Sequence, residues 1–132
     1  MDFLGAGLLA AGMVWAINRF LLQTEKAVNI MFIIPGVEEL AKTGLALFFN
    51  SSVLLTHGVF GTVEAIVDVF ATRRKGIAAG LVSYLGHFLF GLLTILGQKE
   101  LESIWAGLGL AYLAHASWNV LVIMKSGKEK VN

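Results

Sequence analysis

The sequence contains no cysteine and only one proline. The absence of cysteine excludes disulfide bonds, thiol nucleophiles and cysteine-ligated metal sites. Charged residues make up 14% of the chain and nearly balance, to a formal net charge of +1. Such a balance creates no strong field toward nucleic acid or an acidic partner, and no nucleic-acid partner is predicted.

Apolar residues are in excess, at 57% of 132 positions, with a mean hydropathy of +0.77. A bilayer core requires about 20 apolar residues per helix, and runs of that length recur at about 3–22, 29–49, 53–71, 76–97 and 103–124. The segments between them are too short to fold separately. The sequence therefore predicts an all-α membrane protein, in which residues 1–132 form a single transmembrane domain built as a bundle of about five helices.

The basic residues predict the orientation of this bundle, because cytoplasmic loops retain Lys and Arg. One side of the predicted bundle carries eight of them: Arg19, Lys26, Arg73, Arg74, Lys75, Lys125, Lys128 and Lys130. The opposite side carries Lys99 alone, and Lys42 lies inside a span. We therefore expect a multi-pass protein of the cell membrane with its N-terminus outside and its C-terminus in the cytoplasm.

Proline and glycine predict how the helices pack. Pro35 should kink its helix or free a backbone carbonyl, and such breaks are typical of membrane proteins with an internal cavity. Small residues at groove-forming spacing indicate close helix packing: Gly76 with Gly80, Gly107 with Ala111, and Gly58 with Gly61 or Thr62.

Ionisable residues interrupt four of the apolar runs at a similar depth. Counted from the end with the basic loops, Glu38 and Glu39 lie about ten residues in, Glu64 about eight, His87 about twelve and His115 about ten, which at ~1.5 Å per residue agrees to within about one turn. Four helices thus deliver titratable groups to one layer, predicted near the bilayer midplane.

Two further polar residues share helix faces with this layer. Lys42 follows Glu38 by four residues, and Asn119 follows His115 by four. A charged residue at mid-membrane costs at least about 2.5 kcal/mol, so several of them facing lipid would cost on the order of 10 kcal/mol, comparable to a domain's whole stability. We therefore expect these groups to converge on a shared polar cavity.

Some polar residues have a structural interpretation. Glu39 with Lys42 is equally well explained as a buried ion pair that ties helices together. His57 lies near the outer end of its span, where it is expected to reach interfacial water, and Asp68 is expected to pair with Arg73 or Arg74. Glu38, Glu64, His87 and His115 are harder to explain structurally, because a structural network rarely takes titratable groups from four helices.

This set of groups suggests hydrolysis. A buried glutamate beside an ammonium can take a proton from water, and a histidine can donate one to a leaving amine. The amide of Asn119 offers a donor to a developing oxyanion. Because the layer has no activated Ser or Cys, direct attack by water is favoured over a covalent intermediate.

Four segments resemble the motifs of the PrsW-type intramembrane proteases, relatives of the CAAX prenyl proteases and bacteriocin-processing enzymes. VEELAK at 37–42 resembles the EExxK motif, and GVFGTVEA at 58–65, with Phe60 and Glu64 spaced as FxxxE, resembles the second. His87 in YLGHFLFG matches the third motif, and LAHASWN at 113–119 matches HxxxN. The motifs follow the family's order on four successive predicted helices.

The resemblance implies a glutamate-dependent intramembrane endopeptidase without a cofactor. Glu38 would be the general base that activates water, and Glu39 and Lys42 would orient it. Glu64 and His87 would help to hold water or to shuttle protons.

The resemblance further implies that His115 and Asn119 stabilise the tetrahedral oxyanion. The chain departs from the family in having Ala65 where the second motif usually has Asn after its glutamate, and in being shorter than most relatives. The expected partners are a membrane protein or peptide substrate and the lipid bilayer, and a homodimer is compatible with the sequence.

Three other functions remain open on the sequence. His87, His115, Glu64 and Glu38 have the right ligand types for zinc, which would make the chain a zinc-dependent intramembrane protease. The same carboxylates would serve as the relay of a proton-coupled transporter or channel. A non-enzymatic structural subunit of a membrane complex is the third.

Overall fold

The computed structural model describes residues 1–24, 26–71 and 76–129, with backbone alone for Thr24 and residues 126–129. The described part folds into five α-helices and contains no strand: α1 (Phe3–Leu21), α2 (Ile34–Phe48), α3 (Val53–Ala71), α4 (Gly76–Leu101) and α5 (Ile104–Glu129). A short 3-10 turn, Leu22–Thr24, follows α1, and a π-helical turn, Asn29–Ile33, leads into α2. The predicted all-α membrane bundle is confirmed.

Four of the helices are long and apolar enough to cross a membrane, namely α1, α3, α4 and Ile104–Lys125 of α5. Helix α2 has only 15 residues, and three of them are charged and buried. Together with the π-helical turn it forms a continuous helical segment over 29–48, close to the predicted span of 29–49. Helices α4 and α5 extend beyond the predicted ends at 97 and 124.

The π-helical turn lies just before Pro35, which has no N–H group. The N–H of Ile34 reaches back five residues to the carbonyl of Asn29, and in this pattern the carbonyl of Ile30 would require an N–H at position 35. The side-chain amide of Asn119 supplies the missing donor, at 2.9 Å from the Ile30 oxygen. The prediction that Pro35 frees a backbone carbonyl is confirmed, and the freed carbonyl ties α5 to the start of α2.

Helix α2 lies among the long helices, packed against α1, α3 and α5, while α3 packs on α4 and α4 on α5. Each helix buries one stripe of residues spaced three or four apart, as expected for a bundle. The stripe of α1 is small and apolar, with Ala6, Ala10 and Val14 all buried. The stripe of α2 is mostly polar, with Glu38, Glu39 and Lys42 inside the bundle, whereas many large apolar residues of the described helices face outward.

Glycine allows close contact between α4 and α5 at one end of this helix pair. A Cβ atom on Gly97 would lie 2.6 Å from the Cα of Gly107, a separation that no packed side chain tolerates. Gly76 and Gly80, near the other end of α4, contact the α3 backbone at Val69 and Ala65 in the same manner. The predicted role of these glycines in packing is confirmed, whereas Gly58 has only an ordinary contact with Phe88.

Several predictions fall on residues outside the described part. They concern the basic residues Arg73, Arg74, Lys75 and Lys130, the side chain of Lys128, and any pairing of Asp68 with Arg73 or Arg74. The predicted orientation rests partly on these residues and stays a prediction.

Candidate active site

Helix α2 supplies three charged residues from one buried face. Glu38, Glu39 and Lys42 are 4%, 0% and 0% exposed, because their spacing of three and four residues puts them on the stripe that faces the bundle interior. Burial of unpaired charges would cost several kcal/mol each. The neighbouring helices must therefore provide partners, and they do.

Glu39 is the centre of the buried network. Its Oε1 accepts hydrogen bonds from Lys42 Nζ at 2.7 Å and from His115 Nδ1 at 2.9 Å. Its Oε2 lies 3.7 Å from Nδ1 of His57. Because the carboxylate oxygen is the acceptor, His115 carries a proton on Nδ1, and the Nε2 of neutral His115 is an acceptor.

Lys42 orients the ring of a second histidine, His87. Its ammonium lies 2.9 Å from Nδ1 of His87, and an ammonium only donates, so Nδ1 must accept. The proton of neutral His87 is then on Nε2, which donates to Oε2 of Glu64. Both ring nitrogens of His87 are thereby held by protein groups from α2 and α3.

Glu38 and His115 present two acceptors to each other. Oε2 of Glu38 lies 3.7 Å from Nε2 of His115, and this oxygen is buried without a hydrogen-bond partner among the described residues. With Glu38 ionised, the two acceptors can be bridged by a donor, such as a water molecule that gives one hydrogen to each. This pair is therefore the position in the network best suited to hold a reactive water.

A cavity of about 300 Å³ opens onto this pair. It brings together four of the predicted site residues, Glu38, Glu64, His87 and His115, each from a different helix, and Asn119 lies on its wall. Phe90 stacks on the His115 ring at a centroid distance of 4.5 Å and fixes the ring plane. Glu39 and Lys42 do not line the cavity. They contact residues that do line it, namely the two histidines and Glu38.

Asn119 lies in the predicted place but is already engaged. One N–H of its amide is used by the Ile30 carbonyl, which leaves one N–H for any other acceptor. Its expected action on an oxyanion therefore depends on that second N–H.

Sequence reasoning missed two residues of the network. Asn18 of α1 lies close enough to the Glu38 carboxylate to stabilise its charge, and its own Oδ1 is buried without a partner among the described residues. His57, expected at interfacial water, is 0% exposed, so that expectation is wrong: its Nε2 lies 3.2 Å from Thr43 Oγ1. The short α2–α3 connection was a signal that His57 lies close to α2, but it does not identify Thr43 as the partner.

Asp68, one turn beyond Glu64 on α3, also lines the cavity, where Ser83 of α4 lies near its side chain. The cavity wall thus has an acidic group outside the four motif segments. Its position indicates a contribution to the polarity of the cavity in addition to any pairing with a loop.

Three groups have a spacing that suits a metal ion. Ligand atoms of Glu38, His87 and His115 lie within 4.8 Å of one another, and one carboxylate with two imidazoles is a common set for catalytic zinc. The fit is incomplete, however, because both nitrogens of His87 already have partners in Lys42 and Glu64. Zinc ligation through His87 would require one of these contacts to open.

Comparison with family models, with curated proteins and with solved structures finds no match to this chain. The fold and the site define the class by themselves: a small multi-pass helical membrane protein with a buried carboxylate–imidazole network around one cavity.

Proposed function

We propose that this chain is an intramembrane endopeptidase that hydrolyses peptide bonds with a water activated by Glu38. The observation that carries the proposal is the pair of facing acceptors, Glu38 Oε2 and His115 Nε2, at the floor of a cavity within an apolar bundle. The resemblance of four segments to PrsW-type proteases supports the same reaction.

In the proposed reaction, the water attacks the carbonyl carbon of the substrate and gives one proton to Glu38. The C–O bond formed converts the carbonyl oxygen to an oxyanion, to which the free N–H of Asn119 would donate. Collapse of the intermediate breaks the C–N bond, and the proton held by Glu38 passes to the leaving amine, directly or through His115 Nε2. General base catalysis of this kind contributes about 10²- to 10⁴-fold to a rate.

The remaining groups would act by positioning. Glu39 holds His115 through Nδ1, so that Nε2 faces Glu38. Lys42 holds His87, and Glu64 takes the hydrogen bond from its other nitrogen. Rigid orientation of this kind contributes to catalysis because no group has to reorganise as charge develops.

The proposed setting is the cell membrane, with the N-terminus outside and the C-terminus in the cytoplasm, and a membrane-embedded peptide or protein as substrate. The distribution of basic residues supports this orientation. The cavity of about 300 Å³ would hold one or two residues of a peptide.

A zinc-dependent hydrolase is the second candidate, favoured by the spacing of Glu38, His87 and His115. In that case the metal would lower the pKa of a bound water, and Glu38 would be a ligand. Protease activity that persists after removal of metal by a chelator, with no zinc in the active preparation, would exclude this candidate.

The test uses the full chain in liposomes with a set of quenched-fluorescent single-span peptides. The wild type is expected to cleave at least one peptide, and Glu38→Gln is expected to lose about 10²- to 10⁴-fold in rate with unchanged helix content by circular dichroism. Glu100→Gln, at the exposed end of α4, is the matched control and should keep full activity. Cleavage at the wild-type rate by Glu38→Gln refutes the assigned base, and proton flux without cleavage favours a transporter.

A further inference from the structure

Two cavities flank Glu64. The first, described above, lies between α4 and α5, and a second of about 250 Å³ lies between α1 and α3, lined in part by Trp15, Asn18 and Val67. Glu64 and Asp68 border both cavities. A peptide approaching the site from the lipid thus has two conceivable routes.

Of these two cavities, the one between α4 and α5 reaches the reactive pair. It contacts Glu38, His87 and His115, whereas the second cavity contacts none of these three. Phe60 lines the second cavity, and its buried ring packs edge-on against His87 at a centroid distance of 5.0 Å. The second cavity therefore reaches a phenyl ring beside His87 but does not contact the Glu38–His115 pair.

Helices α4 and α5 are held together at one end and apart at the other. Gly97 and Gly107 bring the backbones into contact near the α4–α5 connection. Toward the start of α4 and the end of α5 the cavity walls are formed by Val82 and Trp118, which are 46% and 45% exposed at the surface of the bundle. The pair thus forms a cleft with an apolar, lipid-facing mouth and a polar floor.

We propose that the α4–α5 cleft is the substrate entrance, and that its occupant is a locally unwound stretch of a membrane-embedded peptide. This inference rests on the proposed function. The apolar mouth suits a segment that arrives from lipid, and the polar floor suits backbone amide groups that have lost their helical hydrogen bonds, which in lipid require new partners.

The polar lining of the cleft favours an extended peptide over an intact helix. The backbone N–H and C=O groups of an intact helix are already paired with one another, whereas an extended stretch leaves them free to bind Glu38, His115 and Asn119 on the cavity wall. We therefore expect an extended stretch to lie in the cleft with its scissile carbonyl at the Glu38–His115 pair.

The natural chain has no cysteine, so a single cysteine can direct a probe to either cavity. Val82→Cys places it in the α4–α5 cleft, and Val67→Cys places it at the α1–α3 cavity, where the native side chain is 57% exposed. Each variant is made with Glu38→Gln, labelled with benzophenone maleimide and reconstituted with a fluorescent single-span peptide that carries a Gly-Ser break at mid-span.

Illumination is expected to give a peptide adduct at least fivefold stronger from Val82→Cys than from Val67→Cys, and excess unlabelled peptide should suppress it. The proposal that the cleft is the entrance is overturned by equal adducts, by a stronger adduct from Val67→Cys, or by the absence of an adduct from Val82→Cys. Because Glu38→Gln is inactive under the proposal, this readout does not depend on cleavage.

The same cysteines in the otherwise native chain separate the two proposals. Alkylation of Val82→Cys with a bulky maleimide should lower peptide cleavage at least tenfold, and alkylation of Val67→Cys less than twofold. If alkylation blocks cleavage only in Val67→Cys, the proposed entrance is wrong and the proposed peptidase activity still stands. A selective adduct at Val82→Cys in a protein that never cleaves supports the cleft as a peptide site and refutes the peptidase.

Discussion

The ammonium of Lys42 in α2 lies 2.9 Å from Nδ1 of His87 in α4. Because an ammonium can only donate, this contact determines which nitrogen of His87 bears the proton and directs Nε2–H toward Glu64. The ammonium also donates to Glu39 at 2.7 Å and lies 3.9 Å from Glu38. One buried cation thus compensates two carboxylates and orients an imidazole two helices away.

Lys42→Met is therefore expected to destabilise the fold severely. Methionine has a similar length but leaves Glu38 and Glu39 buried without a cation, and breaking a buried pair from one side costs about 3–5 kcal/mol. The measurement is thermal unfolding in detergent by circular dichroism, with peptide cleavage assayed at a temperature where the variant is folded.

Lys99→Met is the control for this change, since Lys99 lies exposed near the end of α4 and its loss should cost less than about 0.5 kcal/mol. Equal unfolding temperatures for the two variants would show that the Lys42 network contributes nothing to stability.

Glu38 and Glu39 are adjacent, but their replacement by Gln should have different effects. Oε2 of Glu38 has no hydrogen-bond partner among the described residues, so Glu38→Gln should lose cleavage with little change in stability. Glu39 accepts from both Lys42 and His115, so Glu39→Gln should lower the free energy of unfolding by about 2–4 kcal/mol. The two variants are compared by unfolding and by cleavage at a permissive temperature. A large stability loss in Glu38→Gln alone would contradict the assignment of Glu39 as the structural centre of the network and of Glu38 as the base.

The contact between α4 and α5 can be tested with two glycines on one helix. A Cβ on Gly107 would meet the backbone of Gln98 at 2.9 Å, whereas a Cβ on Gly109 has no atom within 4 Å. We expect Gly107→Ala to cost about 1–3 kcal/mol by overpacking, and Gly109→Ala to be neutral or to stabilise by up to about 1 kcal/mol. Thermal unfolding in detergent measures both, and equal effects would contradict the close approach at Gly107.

The helices and the polar layer could be predicted from the sequence because both depend on local spacing. Apolar runs of bilayer length predict helices directly, and residue counts along each run place Glu38, Glu64, His87 and His115 at one level. These predictions require no knowledge of how the helices rotate about their axes.

The partners within the layer could not be predicted, because they depend on those rotations. Asn18 stands beside Arg19 near the end of an apolar run, where an amide usually faces the interface, yet it reaches Glu38. His57 is four residues from the start of α3. Because the connection over 49–52 reverses the chain tightly, this residue lies against α2, beside Thr43. The use of an Asn119 N–H by Ile30 likewise depends on the register between α5 and the π-helical turn.

That register gives the last prediction, which couples Asn119 to Pro35. Asn119→Leu leaves the half-buried Ile30 carbonyl without this donor and should cost about 1–3 kcal/mol. Pro35→Ala restores an N–H at the position whose absence freed this carbonyl, so in the Pro35→Ala chain the same Asn119→Leu change should cost at least about 1 kcal/mol less. The four chains of this double-mutant cycle are compared by thermal unfolding in detergent, with Pro35→Ala alone giving the cost or gain of the proline itself. Strictly additive costs would mean that the amide of Asn119 does not compensate for the missing proline N–H, and that it is available in full to a substrate in the cavity.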